Sequence, residues 1–479
     1  MRPLTLSSAF MLTTLLVTPV HSVDDLPDLG EVSRQYFSDQ EEASLGRAIL
    51  QNVYADPRYL DDPEIEIYLN QLGYQLVSVS PRNQREFNFF VVDDPSINAF
   101  AMPGGHIGVH TGLLLAAQNE SELASVVAHE IAHVTQDHIA RMVTAQEQSQ
   151  WPTLAALALA LLASRSNPNL ASAAIASTQA FAVQNQLNYS RDFEREADRQ
   201  GYELLTRARF DPHGMGGFFT RLQRANRFYD TSAPAYLRTH PLTSERIADM
   251  QARSASTPYQ QIQDSFDFQL VRARLRAMQG SATDAVRDAR LILKDKRHVN
   301  EHAARYTLSL ALLRARQFKE AEREAQTLLS TAPANPMLAQ LAARIALVSD
   351  QTTLASQRYE AALRQFPGNL SLLYGQLDSL LAASQPREAG ILVEKQLAQH
   401  PQDRRLWARS ARIYAKLGQR LASHRAQAEA IALSGNLIGA IEHLGLGIKA
   451  GDGSFQELSA AEARRREWEA LEKNQRKRS

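Results

Sequence analysis

The stretch SVVAHEIAHVT, residues 125–135, decides the fold of the N-terminal half. On an α-helix, positions four apart lie on one face, so the imidazoles of His129 and His133 can bind one metal ion. Glu130 follows the first histidine and can reach a metal-bound water as a general base. The motif predicts a helix that carries a metal site. The alternative is a pair of surface histidines on an amphipathic helix.

A catalytic zinc needs a third protein ligand and an open position for water or substrate. A metzincin arrangement is excluded, because Gln136 and Ile139 stand where it requires Gly and His. His138 is five residues from His133 and would lie well round a continuous helix. We expect it in solvent or behind a ligand rather than on the metal.

A carboxylate from a later helix therefore remains as the third ligand, and residues 193–198, FEREAD, supply the best candidates. Glu194 and Asp198 are four apart and share a face, so one can bind the metal while the other orients a ligand histidine. Glu196 is roughly 200° round the helix from Glu194, so only one glutamate points inward. We assign Glu194 to the metal and Asp198 to catalytic support.

The surrounding pattern predicts a mainly α-helical domain with a small β-sheet. Helices are expected at 41–53 and 63–79, with a third starting in the capping-box pair Asn119 and Glu122. Short strands are expected at 87–92, 97–101 and 107–110, around the turn Pro103-Gly104-Gly105.

A 34-residue period follows from about residue 262. Similar residues recur at this spacing in four sets: Pro333, Pro367 and Pro401; Ala321, Ala355 and Ala389; Leu329, Leu363 and Leu397; Asn335, Asn369 and Asp403. This period is typical of tetratricopeptide repeats, helix pairs that stack into an α-solenoid with a concave surface for peptides or proteins. The predicted layout is a signal peptide (1–22), a zinc metallopeptidase domain (23–258), a repeat domain (262–460) and a charged C-terminal tail (461–479).

Composition limits the classes of function. The chain has 52 basic and 52 acidic residues, so its charge gives no reason to expect nucleic acid as a partner. It has no cysteine, which excludes thiol catalysis, cysteine-bound zinc and disulfides.

Two apolar segments raise the question of membranes. Residues 1–22 have the pattern of a cleaved signal peptide, with a membrane anchor as the alternative. The ten apolar residues Leu154–Ala163 are too few to cross a bilayer. They predict either a buried or hairpin helix over the site or a mobile lid with peripheral membrane contact.

Three motifs together, HEIAH (129–133), SRDFEREADRQG (190–201) and THPLTSER (239–246), resemble the HtpX and CAAX-prenyl-protease family of zinc peptidases. The whole-chain layout is closer still to periplasmic members of that family. The resemblance implies one Zn²⁺ per chain, with Glu194 as the ligand from E-x-x-x-A-D. It also implies location in the periplasm of a Gram-negative bacterium and outer-membrane β-barrel proteins as substrates. The repeat domain would then dock clients or the outer-membrane protein insertion complex.

Two further regions have candidate roles. The resemblance implies that the strand Ser96–Ala101, with Asn98, binds an extended substrate at its edge; an ordinary structural strand is the alternative. In a structural role His240 would cap a loop. In a functional role it either donates to the oxyanion or fills the fourth zinc position and keeps the enzyme latent, and the latent form is our hypothesis. Arg246 is expected to pair with a carboxylate and hold this loop.

A competing hypothesis is a repeat-based scaffold or chaperone in which the peptidase site is vestigial or dispensable. A purely structural zinc is disfavoured, because the chain offers only three good ligands plus a conditional one.

Overall fold

The computed structural model describes residues 38–145, 191–228, 235–258 and 261–478. Its described part is mainly helical with one three-stranded sheet, which confirms the predicted fold class. The predicted signal peptide and the apolar segment 154–163 lie outside the described residues. No helix in the described ranges combines the length and the apolar character needed to cross a membrane.

The first two helices begin at strong N-terminal caps. Helix α1 (Asp39–Ala55) starts with a capping box, in which Ser38 and Glu41 bond to each other's backbone N–H. Helix α2 (Pro63–Val77) starts after Asp62, whose carboxylate accepts from two backbone N–H groups of the first turn. The first residue of α2 is a proline, which has no backbone N–H. This suits a helix start, because the first N–H groups of a helix have no acceptor within it.

The sheet contains strands β1 (Asn88–Val92), β2 (Ala99–Met102) and β3 (His106–His110), in the order β1-β3-β2. Strand β3 pairs in parallel with β1 and antiparallel with β2, so β2 lies at one edge. The turn Pro103–Gly105 joins β2 to β3 as one turn of 3₁₀ helix. Gly104 has φ 77°, a backbone conformation that favours glycine.

Seven more helices lie in the described part of the first half. They are α3 (Thr111–Ala116), α4 (Glu120–Thr135), α5 (His138–Ala145), α6 (Arg191–Arg207), α7 (His213–Phe228), α8 (Ala235–Thr239) and α9 (Ser244–Ala255). Every residue of α4 is buried, because the sheet, α6 and α7 pack around it. The side chain of Asn119 caps α4 by accepting from the N–H of Glu122 at 2.9 Å. The helix that carries the HEIAH motif is therefore the central helix of this region.

The second half is a succession of antiparallel helix pairs. Its helices are α10 (Phe266–Met278), α11 (Ala282–Lys294), α12 (Glu301–Arg314), α13 (Phe318–Thr331), α14 (Pro336–Val348), α15 (Thr352–Gln365), α16 (Leu370–Ala382), α17 (Pro386–Gln399), α18 (Arg404–Lys416), α19 (Arg420–Leu433), α20 (Leu437–Lys449) and α21 (Phe455–Arg478). Three of these starts repeat at 34 residues, because Asn335, Asn369 and Asp403 each accept from backbone N–H groups of the following helix. The polar residue that follows each periodic proline is thus a helix cap.

The two halves share a continuous core. One cluster of buried apolar residues runs from Ile65 in α2 to Ile345 in α14. Buried Arg274 of α10 pairs with Asp62 at 2.7 Å and with Glu64 at 2.6 Å, which ties the first helix of the second half to the start of α2.

The predicted boundary at 460/461 is wrong in one respect. It falls inside α21, whose Ala461 and Trp468 are buried against the preceding helices. Charged residues, which suggested a tail, surround these two buried apolar residues in the sequence. Part of the segment 461–479 therefore packs as a helix.

Candidate active site

Helix α4 brings the two motif histidines to one point. The Nε2 atoms of His129 and His133 lie 3.0 Å apart, and both side chains are buried. Helix α6 approaches α4 closely at Gly201, where an added Cβ would stand 3.2 Å from the backbone nitrogen of His129. The absence of a side chain at Gly201 therefore lets α6 bring its carboxylates to the histidines.

Glu194 of α6 is the glutamate that points inward. Its carboxylate oxygens lie 3.5 Å from Nε2 of His133 and 3.6 Å from Nε2 of His129. The side chain of Glu196 is instead 34% exposed and pairs with Arg141 at the surface. Of the two glutamates, Glu194 is the one that faces the histidines.

His240 joins this group from the loop after α8. Its Nδ1 lies 2.9 Å from Glu194 and 3.4 Å from Nε2 of His129. Its ring stacks on that of Tyr236 at 4.7 Å between centroids. His129, His133, Glu194 and His240 each offer one ligand atom, and these four atoms lie within 4.8 Å of one another.

The donor set fits a tetrahedral metal ion. Zinc bonds of about 2.0–2.2 Å place neighbouring ligand atoms about 3.3–3.6 Å apart. The measured separations of 3.0–3.6 Å among His129, His133 and Glu194 bracket that value. Three imidazoles and one carboxylate are also a ligand set that suits zinc among the first-row metals. The site can hold one such ion.

Asp198 and Arg246 contact the candidate ligands on the side away from the metal position. Asp198 lies 3.0 Å from Nδ1 of His129, on the ring edge opposite the ligand atom. Arg246 donates to both oxygens of Asp198 at 2.7 and 2.8 Å and also pairs with Glu194 at 2.7 Å. Burial would raise the pKa of Asp198, but its bonds with Arg246 and His129 hold it below the usual value. Arg246 therefore holds two carboxylates, where the sequence predicted one.

Glu130 differs from these acids because no arginine among the described residues pairs with its carboxylate. Both oxygens are buried, the backbone of Ala101 faces the carboxylate, and Oε1 lies 3.4 Å from Nε2 of His240. Burial raises the pKa of Glu130, although His240 and His129 favour its charged form. A buried carboxylate of this kind beside the metal ligands is suited to accept a proton.

Asn98 lies outside the strand in which the sequence placed it. Strand β2 begins at Ala99, and the carbonyls of Ile97 and Asn98 accept from the backbone N–H groups of Tyr236 and His110 at 3.1 and 3.0 Å. The predicted strand 97–101 therefore starts too early: the carbonyl of Ile97 bonds to the segment around α8, and regular pairing with β3 begins after Asn98. Asn98 is itself buried.

His138 lies beside a ligand and not in solvent. Helix α4 ends at Thr135, and Asp137 adopts a left-handed conformation with φ 54°. The chain therefore turns back, and Nδ1 of His138 reaches 2.8 Å from Nδ1 of His133. The prediction assumed that the helix continues through His138, and this was wrong. Of the two predicted positions, in solvent or behind a ligand, His138 occupies the second.

Tyr236 is a residue of this site that the sequence argument missed. Its ring lies against His240 and 6.3 Å from the ring of His129, and its hydroxyl is buried with no hydrogen-bond partner among the described residues. The only sequence signal was its position four residues before His240, on the short helix that ends just before that histidine.

The geometry of the site and the comparisons with known proteins together define the class of enzyme. A buried cluster of three histidines and one glutamate, with the carboxylate of Glu130 beside the first histidine, fits the site of a metallopeptidase of the HExxH type. Residues 64–254 match the model of peptidase family M48.

Relatives extend the match to the second half of the chain. The beta-barrel assembly-enhancing protease of Escherichia coli (strain K12) is 33% identical over 424 residues, which is 88% of this chain and 87% of the relative. That of Yersinia pestis is 31% identical over 419 residues, 87% of this chain and 86% of the relative. The mitochondrial metalloendopeptidase OMA1 of Schizosaccharomyces pombe is 31% identical over 182 residues, 38% of this chain and 50% of that protein. The chain belongs to peptidase family M48, and it is a metalloendopeptidase.

Proposed function

We propose that the protein is a zinc-dependent endopeptidase that cleaves misassembled periplasmic or outer-membrane proteins. The observation that carries this proposal is the position of Glu130 next to three candidate metal ligands, His129, His133 and Glu194. When bound, zinc would lower the pKa of a water molecule and polarise the scissile carbonyl. Glu130 would then take a proton from that water and deliver it to the leaving amine.

The remaining residues would keep this arrangement fixed. Asp198 would hold the proton of His129 on Nδ1, so that Nε2 faces the metal. Arg246 would neutralise Asp198 and Glu194, which lie close together in a buried site.

Substrate would bind along β2. Strand β2 is at the edge of the sheet, and the backbone of Ala101 faces Glu130. The register with β3 directs Phe100 towards Gly108, so Ala99 and Ala101 turn their backbone groups to the outer edge. An extended peptide paired there would pass beside the general base.

His240 would hold the enzyme in a latent form. Its Nδ1 lies among the three candidate ligands, where it would fill the position that water or substrate needs. His240→Ala should then raise peptidase activity at unchanged zinc content. A collapse of activity would instead support the second hypothesis, in which His240 donates to the oxyanion.

The repeat region would dock clients or their assembly machinery. The named activity of the relatives in β-barrel assembly supports outer-membrane β-barrel proteins as clients, and with them a periplasmic location. A cavity of about 760 Å³ lies between the start of α2 and the first repeats. Its wall includes the exposed cations Arg316 and Arg344 and the apolar side chains Met278 and Val348. Such a mixed surface suits a peptide segment better than nucleic acid.

Glu130→Gln tests the peptidase proposal. Purified native protein should contain about one zinc per chain and cleave an unfolded protein, and a chelator should abolish cleavage. The variant should keep its zinc and lose at least about 10²-fold in activity, since the general base is gone. Gln118→Glu, outside the ligand set, is the control for a change between amide and acid.

The same variant separates the peptidase from a scaffold or chaperone. Cells that carry only Glu130→Gln should fail to clear misassembled outer-membrane proteins. Full cellular function of the variant would favour the repeat-based scaffold and count against the proposal.

A further inference from the structure

The segment after α4 turns the chain so that His138 lies beside the candidate metal ligands. Asp137, in its left-handed conformation, pairs with Arg82 and Arg85 from the loop before β1. Arg85 also donates to the carbonyl of Val134 at 2.9 Å, which satisfies a free carbonyl at the end of α4. These contacts fix the turn, and His138 starts α5 facing back to the helix that it left.

His138 is fully buried, and its contacts are directional. Its Nδ1 lies 2.8 Å from Nδ1 of His133, and its ring stacks on Phe193 with centroids 4.6 Å apart and planes at 12°. Two ring nitrogens at 2.8 Å share one proton, with one as donor and the other as acceptor. The direction of that bond decides which nitrogen of His133 is free for a metal.

The ligand geometry sets the direction. Nε2 of His133 is the atom that faces His129 and Glu194, so its lone pair must be free and its proton must lie on Nδ1. His138 then accepts at Nδ1 and carries its own proton on Nε2. That nitrogen lies 3.4 Å from Oε2 of Glu196, which Arg141 holds at 2.9 Å.

We propose that His138 is a positioning residue that keeps the proton of His133 on Nδ1 and thereby presents Nε2 to the metal. It takes at His133 the place that Asp198 takes at His129. Glu196 and Arg141 complete a chain from the ligand to the protein surface. The proposal rests on the proposed metal site, because it concerns one ligand of that site.

The decisive comparison is His138→Asn against His138→Gln. The amide oxygen of asparagine can occupy the position of Nδ1 and accept from His133, whereas glutamine extends its amide towards the position of Nε2. We expect His138→Gln to lower Zn²⁺ affinity by about 10–100-fold, the usual effect of losing such a partner. His138→Asn should stay within about threefold of the native affinity.

Zn²⁺ affinity is measured by competition with a chromophoric chelator, and the absorption spectrum of the Co²⁺-loaded protein reports the ligand geometry. Thermal unfolding in excess chelator shows whether each variant folds. Should His138→Gln not fold, Glu196→Gln provides the second test, since it leaves the buried ring in place. It should lower Zn²⁺ affinity by about 3–10-fold, because the partner of Nε2 becomes neutral.

Three results would overturn the proposal: native affinity in His138→Gln, equal losses in the Asn and Gln variants, or native affinity in Glu196→Gln. Failure of the native protein to bind Zn²⁺ at all would refute the proposed function instead, so the two failures are distinguishable.

Discussion

Arg405 at the start of α18 donates to Glu66 of α2 at 2.7 Å, although the two residues are 339 positions apart. Arg405 also donates to Asp61 at 2.6 Å. The neighbouring guanidinium of Arg404 lies over the ring of Tyr54 at 4.9 Å. These contacts join α18 directly to the helices at the start of the peptidase region. The first helices of the second half are joined to the same helices by the shared core, so the second half contacts α2 at two separate points.

Arg405→Ala should loosen the second of these contacts. The side chain of Arg405 is only 14% exposed, so its loss would leave Glu66 without its cation, while Asp61 would keep its ion pair with Arg404. We expect the local opening free energy around residues 61–66 and 404–406 to fall by about 1–3 kcal/mol. Hydrogen exchange measures this change, and Arg412→Ala, whose side chain is 63% exposed, is the control. Unchanged protection of both segments would show that the contact has no energetic role.

Gly201→Val should force α6 away from α4. An added Cβ at Gly201 already stands 3.2–3.3 Å from the backbone of His129, and the two valine methyl groups need still more room. We expect a loss of about 1–3 kcal/mol in unfolding free energy and weaker Zn²⁺ binding, because Glu194 moves with α6. The control is Gly216→Val on α7, where the nearest atom is 3.8 Å away. Equal effects of the two variants on Zn²⁺ binding would contradict the packing argument.

Arg246→Lys should destabilise the fold even without metal. Lysine keeps the charge but cannot donate two bonds to Asp198 and a third to Glu194. Because the site is buried, we expect a loss of about 2–4 kcal/mol in unfolding free energy. Urea denaturation in excess chelator measures this loss of unfolding free energy without a contribution from metal binding. Arg253→Lys, whose side chain is 35% exposed, is the matched control. A loss no larger than that of the control would mean that the single charge suffices.

Local rules explain what the sequence predicted well. The spacing of His129 and His133, and the choice of Glu194 over Glu196, follow from the geometry of single helices. The 34-residue period corresponds to the helix pairs because its polar positions cap helices, as Asn369 does for α16. Each of these features depends on residues within one or two turns of each other.

Features that depend on distant contacts were not predictable in the same way. The position of His138 depends on a left-handed residue, Asp137, that Arg82 and Arg85 hold from 52 and more positions away. Strand β2 starts late because Tyr236 bonds to the carbonyl of Ile97, across a gap of more than a hundred residues. Sequence periodicity carries no information about such pairings.

The buried histidines of β3 should make stability depend on pH. Burial, with a smaller contribution from Arg47, lowers the pKa of His106 to about 4, against a usual value near 6.5. The folded state therefore keeps this ring neutral, while the unfolded chain takes up a proton below pH 6.5. The stabilisation is complete above pH 6.5 and is lost as the pH falls towards 4, so it should shrink by about 2 kcal/mol between pH 7 and pH 5.

His106→Gln removes the titrating group and should flatten the dependence of unfolding free energy on pH by that amount. Urea denaturation at both pH values in excess chelator keeps metal binding out of the comparison, and His400→Gln, at a partly exposed position, controls for the loss of a histidine. An equal fall in stability for His106→Gln and the native protein would assign the pH dependence to other groups.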